Sequence, residues 1–321
     1  MFTVVSLFSG CGGSSLGYQM AGGKILLAVE WEDNAAATYK INFPNTALYH
    51  GDVCQLTNKE IFKITGLKKG ELDLLDGSPP CQGFSTSGKR EFSDDRNQLF
   101  KQYIRILKAL EPRTFIMENV SGMIKGKMKL IFKEILLELK ECGYDVKASL
   151  LNAKNYGVPQ SRERIIFLGV RKDIHKAINF PHGKTRITTA KEAIEGAECS
   201  TLLEPNEKYI SLMNKLKPGE NLSKFKKGSF FSYGRLWKDR PSQTLTKSVS
   251  YGKVSLWHFN EPRNISIEEA KRLQSFPDDF KLIGSYQDQW ARIGNSVPPL
   301  LSMALATQLK KEVFNGTSKR N

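Results

Sequence analysis

Cysteine is scarce in this chain of 321 residues, which has five. Their number is odd and their spacing is not that of paired metal ligands, so we expect no disulfide framework, no metal site and a reducing, cytoplasmic environment. No apolar run approaches the roughly 18 residues that a membrane span needs. Residues 1–8 lack a basic leader and a small-residue cleavage site, so a buried strand is expected there rather than a signal peptide.

Acidic residues are also in deficit: 33 Asp and Glu stand against 48 Lys and Arg, which leaves a net charge of +15. Such an excess favours a polyanionic partner, because each neutralised phosphate releases condensed counterions. A basic protein without such a partner is the alternative. Between Lys208 and Lys253 the only acids are Glu220 and Asp239, and aromatic residues are interleaved with the basic ones. That mixture is typical of a nucleic-acid-binding face.

The first half alternates short apolar runs with amphipathic segments, which predicts an α/β fold with a doubly wound, mostly parallel sheet. The alternation fades from about Lys172, where we expect a domain boundary. A capping box at Ser266 then predicts a helix to Ser275, and Pro298 begins a final helix that is expected to end near Lys311. The predicted strands are Val4–Phe8, Ile25–Glu30, Leu72–Asp76, Thr114–Glu118 and Ile165–Val170, and two of the predicted helices are Leu99–Leu110 and Leu130–Cys142.

A glycine-rich loop follows the first predicted strand, in the segment Phe8-Ser9-Gly10-Cys11-Gly12-Gly13. Glycines there let a ligand approach the backbone closely. Glu30, at the end of the second strand, can accept ribose hydroxyls, and the adjacent Trp31 can stack on an adenine. Asp52 follows a third strand and can accept from the adenine amino group. These residues predict an adenosine-containing cofactor, and their spacing leaves NAD and S-adenosylmethionine both open.

Four further segments carry side chains suited to catalysis or binding. Two prolines stiffen the backbone before Cys81, just past the carboxyl end of a strand, where α/β enzymes place their sites. Glu118 ends another apolar strand, and a buried acid is costly unless it is paired or functional. Residues 82–97 form a long polar stretch of the kind that makes binding loops. Arg162 and Arg164 alternate ahead of a strand, which predicts that they share one face.

The motifs together resemble the cytosine-5 DNA methyltransferases of bacterial or phage type. The glycine loop, Pro79-Pro80-Cys81-Gln82, Glu118-Asn119-Val120, Gln160-Ser161-Arg162-Glu163-Arg164 and Gly294-Asn295-Ser296-Val297-Pro298-Pro299 occur in the family's order. The likeness extends from about residue 3 to residue 312, apart from a variable stretch of roughly 80–90 residues after Val170. It implies the class I S-adenosylmethionine-dependent methyltransferase fold, which is Rossmann-like.

The resemblance also implies residue roles. Cys81 would attack carbon 6 of cytosine, which makes carbon 5 nucleophilic. Glu118 would hold nitrogen 3 and the amino group, Arg164 would bind the carbonyl oxygen, and Arg162 would support Glu118 and the thiolate. Asn295 lies far along the chain, so the C-terminal helix must fold back onto the N-terminal domain. The implied contacts of S-adenosylmethionine are Phe8, Gly10, Gly12, Glu30, Trp31, Asp52, Val53, Pro80, Leu99 and Asn295, of which Val53 and Leu99 would be apolar in any case.

The resemblance makes double-stranded DNA the expected partner, with the target cytosine flipped out of the helix. A catalytic and cofactor-binding domain is expected at 1–171 plus 288–321, and a target-recognition domain at 172–287. Arg235 and Arg240 in the second of these are candidates for guanine or phosphate contacts. The candidate DNA contacts in the polar loop are Ser85, Ser87, Lys89 and Arg90.

Three other functions compete with this interpretation. A cytosine-5 tRNA methyltransferase shares the catalytic set but usually carries a Cys-Phe-Thr element, whereas Cys199 here is followed by Ser200-Thr201. An inactive DNA-binding relative would not need every catalytic position filled, and an NAD oxidoreductase would not need Pro-Pro-Cys with Glu-Asn-Val. We expect a monomer that associates with the nucleoid through DNA and acts beside a cognate restriction endonuclease.

Overall fold

Seven strands form one sheet in the computed structural model, which describes residues 1–80, 98–126, 128–225, 233–249 and 255–315. Their order across the sheet is β3-β2-β1-β4-β5-β7-β6. Strands β1 to β5 are parallel, and β7 runs antiparallel to both of its neighbours. The doubly wound, mostly parallel sheet is therefore confirmed. The strands are β1 (Phe2–Leu7), β2 (Gly23–Glu30), β3 (Ala47–His50), β4 (Leu74–Gly77), β5 (Thr114–Val120), β6 (Tyr144–Asn152) and β7 (Glu163–Arg171).

Helices cover both faces of the sheet because successive strand residues point to opposite sides. Val5 and Leu75 pack with α3, α4 and α5 in one core, whereas Val4 and Leu74 pack with α1 and α10 in the other. The helices are α1 (Gly13–Met20), α2 (Asp33–Asn42), α3 (Asn58–Thr65), α4 (Gln98–Leu110), α5 (Met128–Glu141), α6 (Ala190–Ile194), α7 (Glu207–Asn214), α8 (Ile267–Leu273), α9 (Tyr286–Asn295) and α10 (Pro299–Leu309). None of these described helices is both long and apolar enough to span a membrane.

All five predicted strands are present, with ends within two residues of their predicted positions. Strand β6 was not predicted, because it is an edge strand in which buried and exposed side chains alternate irregularly. The capping box at Ser266 is confirmed, but α8 ends at Leu273 rather than Ser275. Ser275 has a φ of 68°, a left-handed conformation that does not continue a helix.

The C-terminal helix returns to the first helix, as predicted. A Cβ added to Gly17 in α1 would lie 2.3 Å from the main-chain oxygen of Pro299, and one added to Gly13 would lie 2.4 Å from that of Val297. No side chain fits at either position, so α1 and the segment entering α10 are in backbone contact. This contact brings the residues around Asn295 to the glycine loop.

The region after β7 packs around its own apolar cluster, which includes Leu236, Leu245 and Leu256. Trp290 and Ile293 of α9 belong to the same cluster, so apolar contacts cross the expected boundary at residue 287. A buried polar network also joins this region to the sheet: the Gln160 amide donates to the Gln274 side chain at 2.5 Å, and Gln274 donates to the Ser296 main-chain oxygen at 2.7 Å.

Candidate active site

The glycine loop is shaped by two glycines with different functions. Gly12 has a φ of 98°, and a Cβ there would lie 2.2 Å from the Phe43 ring, so this glycine is required for packing. Gly10 also has a left-handed φ, of 57°, but a Cβ there would meet nothing within 4 Å. Phe8, with a φ of 56°, completes the tight turn. The loop therefore leaves open space beside Gly10, where a ligand can approach the backbone.

Glu30 is a buried carboxylate at the end of β2. The main-chain N–H groups of Gly10, Trp31 and Glu32 donate to its two oxygens, at 2.7, 3.0 and 3.0 Å. Burial raises the pKa of Glu30, and these hydrogen bonds act in the opposite direction. Beside it the Trp31 side chain is 74% exposed. A fixed acceptor next to an exposed indole suits a ribose with an attached aromatic base.

Asp52 lies on the neighbouring strand end, since Glu30 and His50 are partners in the β2–β3 register. Its Oδ1 accepts from the Cys54 main chain at 2.9 Å, and the residue is exposed. Val53 is buried in the apolar core, and Leu99 packs against that core. Arg105 was not identified from the sequence. Its guanidinium donates to the main-chain oxygens of Val53 and Leu56 and so holds this segment on α4.

Asn295 is exposed at the last position of α9. The next residue, Ser296, has its Oγ 3.1 Å from Sγ of Cys11 in the glycine loop. Burial raises the pKa of the Cys11 thiol to about 11, so this cysteine is a neutral packing residue. The structure thus brings Asn295 to the glycine loop, as the predicted return of the C-terminal helix requires.

Asp76 is a buried acid that sequence reasoning passed over. Ser6 and Ser14 donate to its Oδ2 at 2.8 Å each, and Tyr18 donates to Oδ1 at 2.7 Å. The carboxylate therefore joins β1, α1 and β4 directly behind the glycine loop. Burial raises its pKa from 3.8 to about 6, against the effect of the three hydrogen bonds. The sequence signal that could have identified Asp76 is an acidic residue at the end of an apolar strand. The same kind of signal identified Glu118.

Cys81 and the loop residues Ser85, Ser87, Lys89 and Arg90 lie outside the described residues. The chain leading to them is described as far as Pro80, which is exposed. The Asn119 side-chain amide donates to the Pro79 main-chain oxygen at 3.0 Å, and Asn119 is buried. The segment that enters the Cys81 loop is thereby attached to β5, one residue from Glu118.

Glu118 forms an ion pair with Arg164, with Oε1 2.7 Å from Nε, and both side chains are largely buried. The antiparallel register sets this pair, because β5 residues 118–120 lie beside β7 residues 164–166. Arg162 is also buried, and it donates from Nη1 to the Leu245 oxygen at 2.8 Å and from Nη2 to the Gly294 oxygen at 2.7 Å. Its Nε has no hydrogen-bond partner among the described residues. Arg164, rather than Arg162, is therefore the direct partner of Glu118.

The two candidate DNA-reading arginines differ in what surrounds them. Nε of Arg235 donates to the main-chain oxygens of His258 and Phe259, at 3.1 and 3.0 Å, and Nη1 donates to that of Leu216 at 3.0 Å. These contacts engage Nε and Nη1 of Arg235, and a contact of this residue with guanine or phosphate stays a prediction. Arg240 is exposed, and its guanidinium carbon lies 4.7 Å from the centre of the Trp237 ring.

Comparisons with known proteins identify the family of this chain. The model of the family described as C-5 cytosine-specific DNA methylase matches residues 2–311. Type II methyltransferase M1.HphI of Haemophilus parahaemolyticus is 36% identical over 96% of this chain and 87% of its own length. M.NgoPII of Neisseria gonorrhoeae, also a Type II methyltransferase, is 34% identical over 96% and 95%. The crystal structure of a prophage-encoded Escherichia coli protein, described as a DNA modification methyltransferase, superimposes with a TM-score of 0.79 at 26% identity, over 98% of this chain and 100% of that one.

Proposed function

Because this chain belongs to the C-5 cytosine-specific DNA methylase family and is a DNA cytosine-5 methyltransferase, we propose that it uses S-adenosylmethionine and Cys81 to methylate a flipped-out cytosine in a specific duplex sequence. The observation that carries the proposal is the Glu118–Arg164 pair at 2.7 Å. The pair lies next to Asn119, whose side chain attaches Pro79, two residues before Cys81, to β5. An acid and a guanidinium held side by side can engage neighbouring polar atoms on one edge of a pyrimidine.

The residues around the glycine loop fit S-adenosylmethionine. The Glu30 carboxylate has roughly four acceptor positions and uses three for main-chain N–H groups, so it retains capacity for a ribose hydroxyl. The exposed Trp31 ring supplies a stacking surface for adenine, and the open space at Gly10 admits the chain of the methionyl group. When bound, the cofactor supplies an electrophilic methyl group on a sulfonium. We assign its binding to Phe8, Gly10, Gly12, Glu30, Trp31, Asp52, Val53, Pro80, Leu99 and Asn295.

The proposed chemistry begins with attack of the Cys81 thiolate on carbon 6 of cytosine. This addition removes the aromaticity of the ring. Glu118 accepts from the amino group, and a proton held between Glu118 and nitrogen 3 offsets the negative charge that develops on the ring. Arg164 uses Nε for Glu118 and Nη1 for the Glu163 oxygen, so its Nη2 can donate to the cytosine carbonyl. Carbon 5 then takes the methyl group as the bond from that group to the sulfonium sulfur breaks, and S-adenosylhomocysteine is the product. Loss of the carbon 5 proton to a base and departure of the Cys81 sulfur restore aromaticity.

Arg162 is assigned a supporting role in this site. Two of its nitrogens are fixed to main-chain oxygens, and its buried Nε has no hydrogen-bond partner in the described part of the chain. A charge held this rigidly stabilises developing negative charge without reorganising. We therefore infer that Arg162 supports Glu118 and the Cys81 thiolate through space, whereas Arg164 contacts the base.

Duplex DNA is bound by two parts of the chain in this proposal. Ser85, Ser87, Lys89 and Arg90 of residues 82–97 contact the helix around the extruded base, and residues 172–287 form the target-recognition domain, with Arg240 as a DNA contact. The net charge of +15 supports a polyanionic substrate. The Type II names of the relatives support a cognate restriction endonuclease as the partner system. We infer a cytoplasmic monomer that associates with the nucleoid.

A direct experiment separates DNA from RNA substrates and an active enzyme from an inactive one. The purified chain is incubated with radiolabelled S-adenosylmethionine and either a mixed-sequence duplex DNA or a tRNA transcript, and bisulfite sequencing then locates the modified base. We expect 5-methylcytosine in DNA alone. Methylation of tRNA alone, methylation of adenine, or no transfer at all would contradict the proposal.

A further inference from the structure

Trp237 and Arg240 form a stacked pair on the surface of the region after β7. The guanidinium carbon of Arg240 lies 4.7 Å from the centre of the indole ring. Gly219 lies against the same ring, since a Cβ added to it would be 2.3 Å from Trp237 atoms. The main chain on both sides is also fixed, because Gly219 donates to the Arg235 oxygen at 2.8 Å and Ala190 donates to that of Arg240 at 2.8 Å. The main chain that carries Trp237 and Arg240 is therefore held in place on both sides of the pair.

The N–H edge of this guanidinium is unused within the described part of the chain, where Arg240 has neither a hydrogen bond nor an ion pair. Arg235, five residues earlier, donates to three main-chain oxygens instead. Arg235 therefore stabilises the fold through its main-chain contacts, whereas the guanidinium of Arg240 is exposed to solvent. A stacked guanidinium keeps its planar fork of donors for bidentate recognition.

The stacked pair lies near the catalytic strand. Two residues after Arg240, the Ser242 oxygen accepts from the Ser161 main chain at 2.8 Å, and Ser161 precedes Arg164 by three residues. At about 3.5 Å per extended residue, Arg240 is within roughly 20–25 Å of the Glu118–Arg164 pair. Duplex DNA rises by about 3.4 Å per base pair, so base pairs flanking the target cytosine are within reach of Arg240.

We propose that Arg240, whose guanidinium lies over the Trp237 ring, reads O6 and N7 of one guanine at a fixed position beside the target cytosine. This inference rests on the proposed function and adds a specificity-determining residue to it. A guanidinium can also bind a phosphate with two donors, a contact that Lys238 or Lys217 can supply as a point charge, so the dependence on DNA sequence separates the two ligands. A guanine edge presents two acceptors in one plane, which a preoriented guanidinium matches.

Three variants and a control test the inference. Arg240→Lys keeps the charge but removes the fork, Trp237→Leu removes the aromatic face, and Trp237→Phe keeps one. Lys69→Ala is the matched control, because it removes an exposed cation from the opposite, amino edge of the sheet, where Lys69 pairs with Glu111 at 2.9 Å. Each purified protein methylates a duplex library randomised around the target, and bisulfite sequencing gives the relative rate for every base at every position. Thermal unfolding shows that each variant is folded.

For the wild type we expect one flanking position that requires guanine. Arg240→Lys and Trp237→Leu should both reduce that preference by roughly 10- to 100-fold and leave the other positions unchanged, and Trp237→Phe and Lys69→Ala should retain it. Suppose instead that Arg240→Lys or Trp237→Leu lowers the methylation rate equally for all sequences, and that the salt dependence of DNA binding falls by an amount equal to about one phosphate contact. That result would overturn the inference in favour of a phosphate contact. Unchanged selectivity in folded Arg240→Lys would also overturn it. If the wild type methylates no DNA, the proposed function itself fails, whereas methylation without a fixed flanking guanine contradicts this inference alone.

Discussion

Asn119 joins the catalytic strand to the segment that enters the nucleophile loop, through a 3.0 Å hydrogen bond from its side-chain amide to the main-chain oxygen of Pro79. Asn119 follows Glu118 directly, and Pro79 precedes Cys81 by two residues. The hydrogen bond therefore attaches the segment that leads to Cys81 to the strand that carries Glu118. A shift of about 1 Å in such an arrangement is enough to lower a rate by roughly 100-fold.

Replacing Asn119 with alanine removes this hydrogen bond. We expect the kcat of Asn119→Ala to fall by about 10- to 100-fold, because Pro79, two residues before Cys81, is then no longer attached to the strand that carries Glu118. The dissociation constant for S-adenosylmethionine should change less than kcat, because Pro80 is the only assigned cofactor contact in this segment. Asn260→Ala, at an exposed position, is the control. An unchanged kcat in Asn119→Ala would show that the hydrogen bond is not needed for turnover.

Glu118→Gln removes the charge that pairs with Arg164 and keeps the size of the side chain. The proposed role of Glu118 is to offset charge on the ring during attack. The substitution should therefore weaken stabilisation of the transition state more than binding of the substrate. We expect kcat to fall by roughly 100- to 10,000-fold. Affinity for duplex DNA, measured by fluorescence anisotropy, should change only slightly. Equal losses in rate and in DNA affinity would assign Glu118 to substrate binding instead.

Trp31→Ala tests the adenine platform. The side chain is 74% exposed, so its removal should cost little stability. Loss of one stacked base costs roughly 1–3 kcal/mol, so the KM for S-adenosylmethionine should rise by about 5- to 100-fold with little change in the KM for DNA. Met20→Ala, which truncates another exposed apolar side chain, is the control. A KM for the cofactor equal to that of the wild type would remove Trp31 from the binding site.

Asp76 makes stability depend on pH in a defined direction. Its pKa rises from 3.8 to about 6 on folding because the carboxyl group is buried. Between these values the folded state binds more protons than the unfolded state, so this group's contribution to stability falls as pH increases. We expect the unfolding free energy of the wild type, relative to Asp76→Asn, to decrease by on the order of 1 kcal/mol between about pH 5 and pH 7.5.

Urea unfolding of both proteins at the two pH values measures this difference. The conservative asparagine keeps the shape of the side chain, so the comparison isolates ionisation rather than packing. A wild-type minus variant difference that is constant across the pH range would mean that Asp76 does not titrate there. A difference that increases with pH would mean that the hydrogen bonds from Ser6, Ser14 and Tyr18 outweigh burial.

Local features of the fold were predictable because their causes are local. The positive φ of Gly10 and Gly12 follows from a glycine-rich turn after a strand, and the Ser266–Glu269 capping box is a four-residue signal. The sheet class followed from strand–helix alternation. Strand β6 was missed because an edge strand needs no continuous apolar run.

Pairings between distant segments were not predictable from the same evidence. Arg162 and Arg164 look equivalent in the sequence, and only the register of β5 against β7 determines that Arg164 contacts Glu118. Arg235 and Arg240 are likewise alike until the carbonyl groups around one and the indole under the other are known. Asp76 and Asn119 depend on partners 40 or more residues away. Such contacts are set by topology rather than by spacing along the chain.

The most direct test of the account uses a duplex that carries 5-fluorocytosine at the target position. Fluorine cannot leave carbon 5 as a cation, so the reaction should stop after methyl transfer with the Cys81 sulfur still bonded to carbon 6. With S-adenosylmethionine present, we expect a protein–DNA adduct that survives denaturing electrophoresis, a peptide containing Cys81 as its site in mass spectrometry, and no adduct from folded Cys81→Ser. Methylation of ordinary cytosine at an undiminished rate by Cys81→Ser, or an adduct at another residue, would contradict the account.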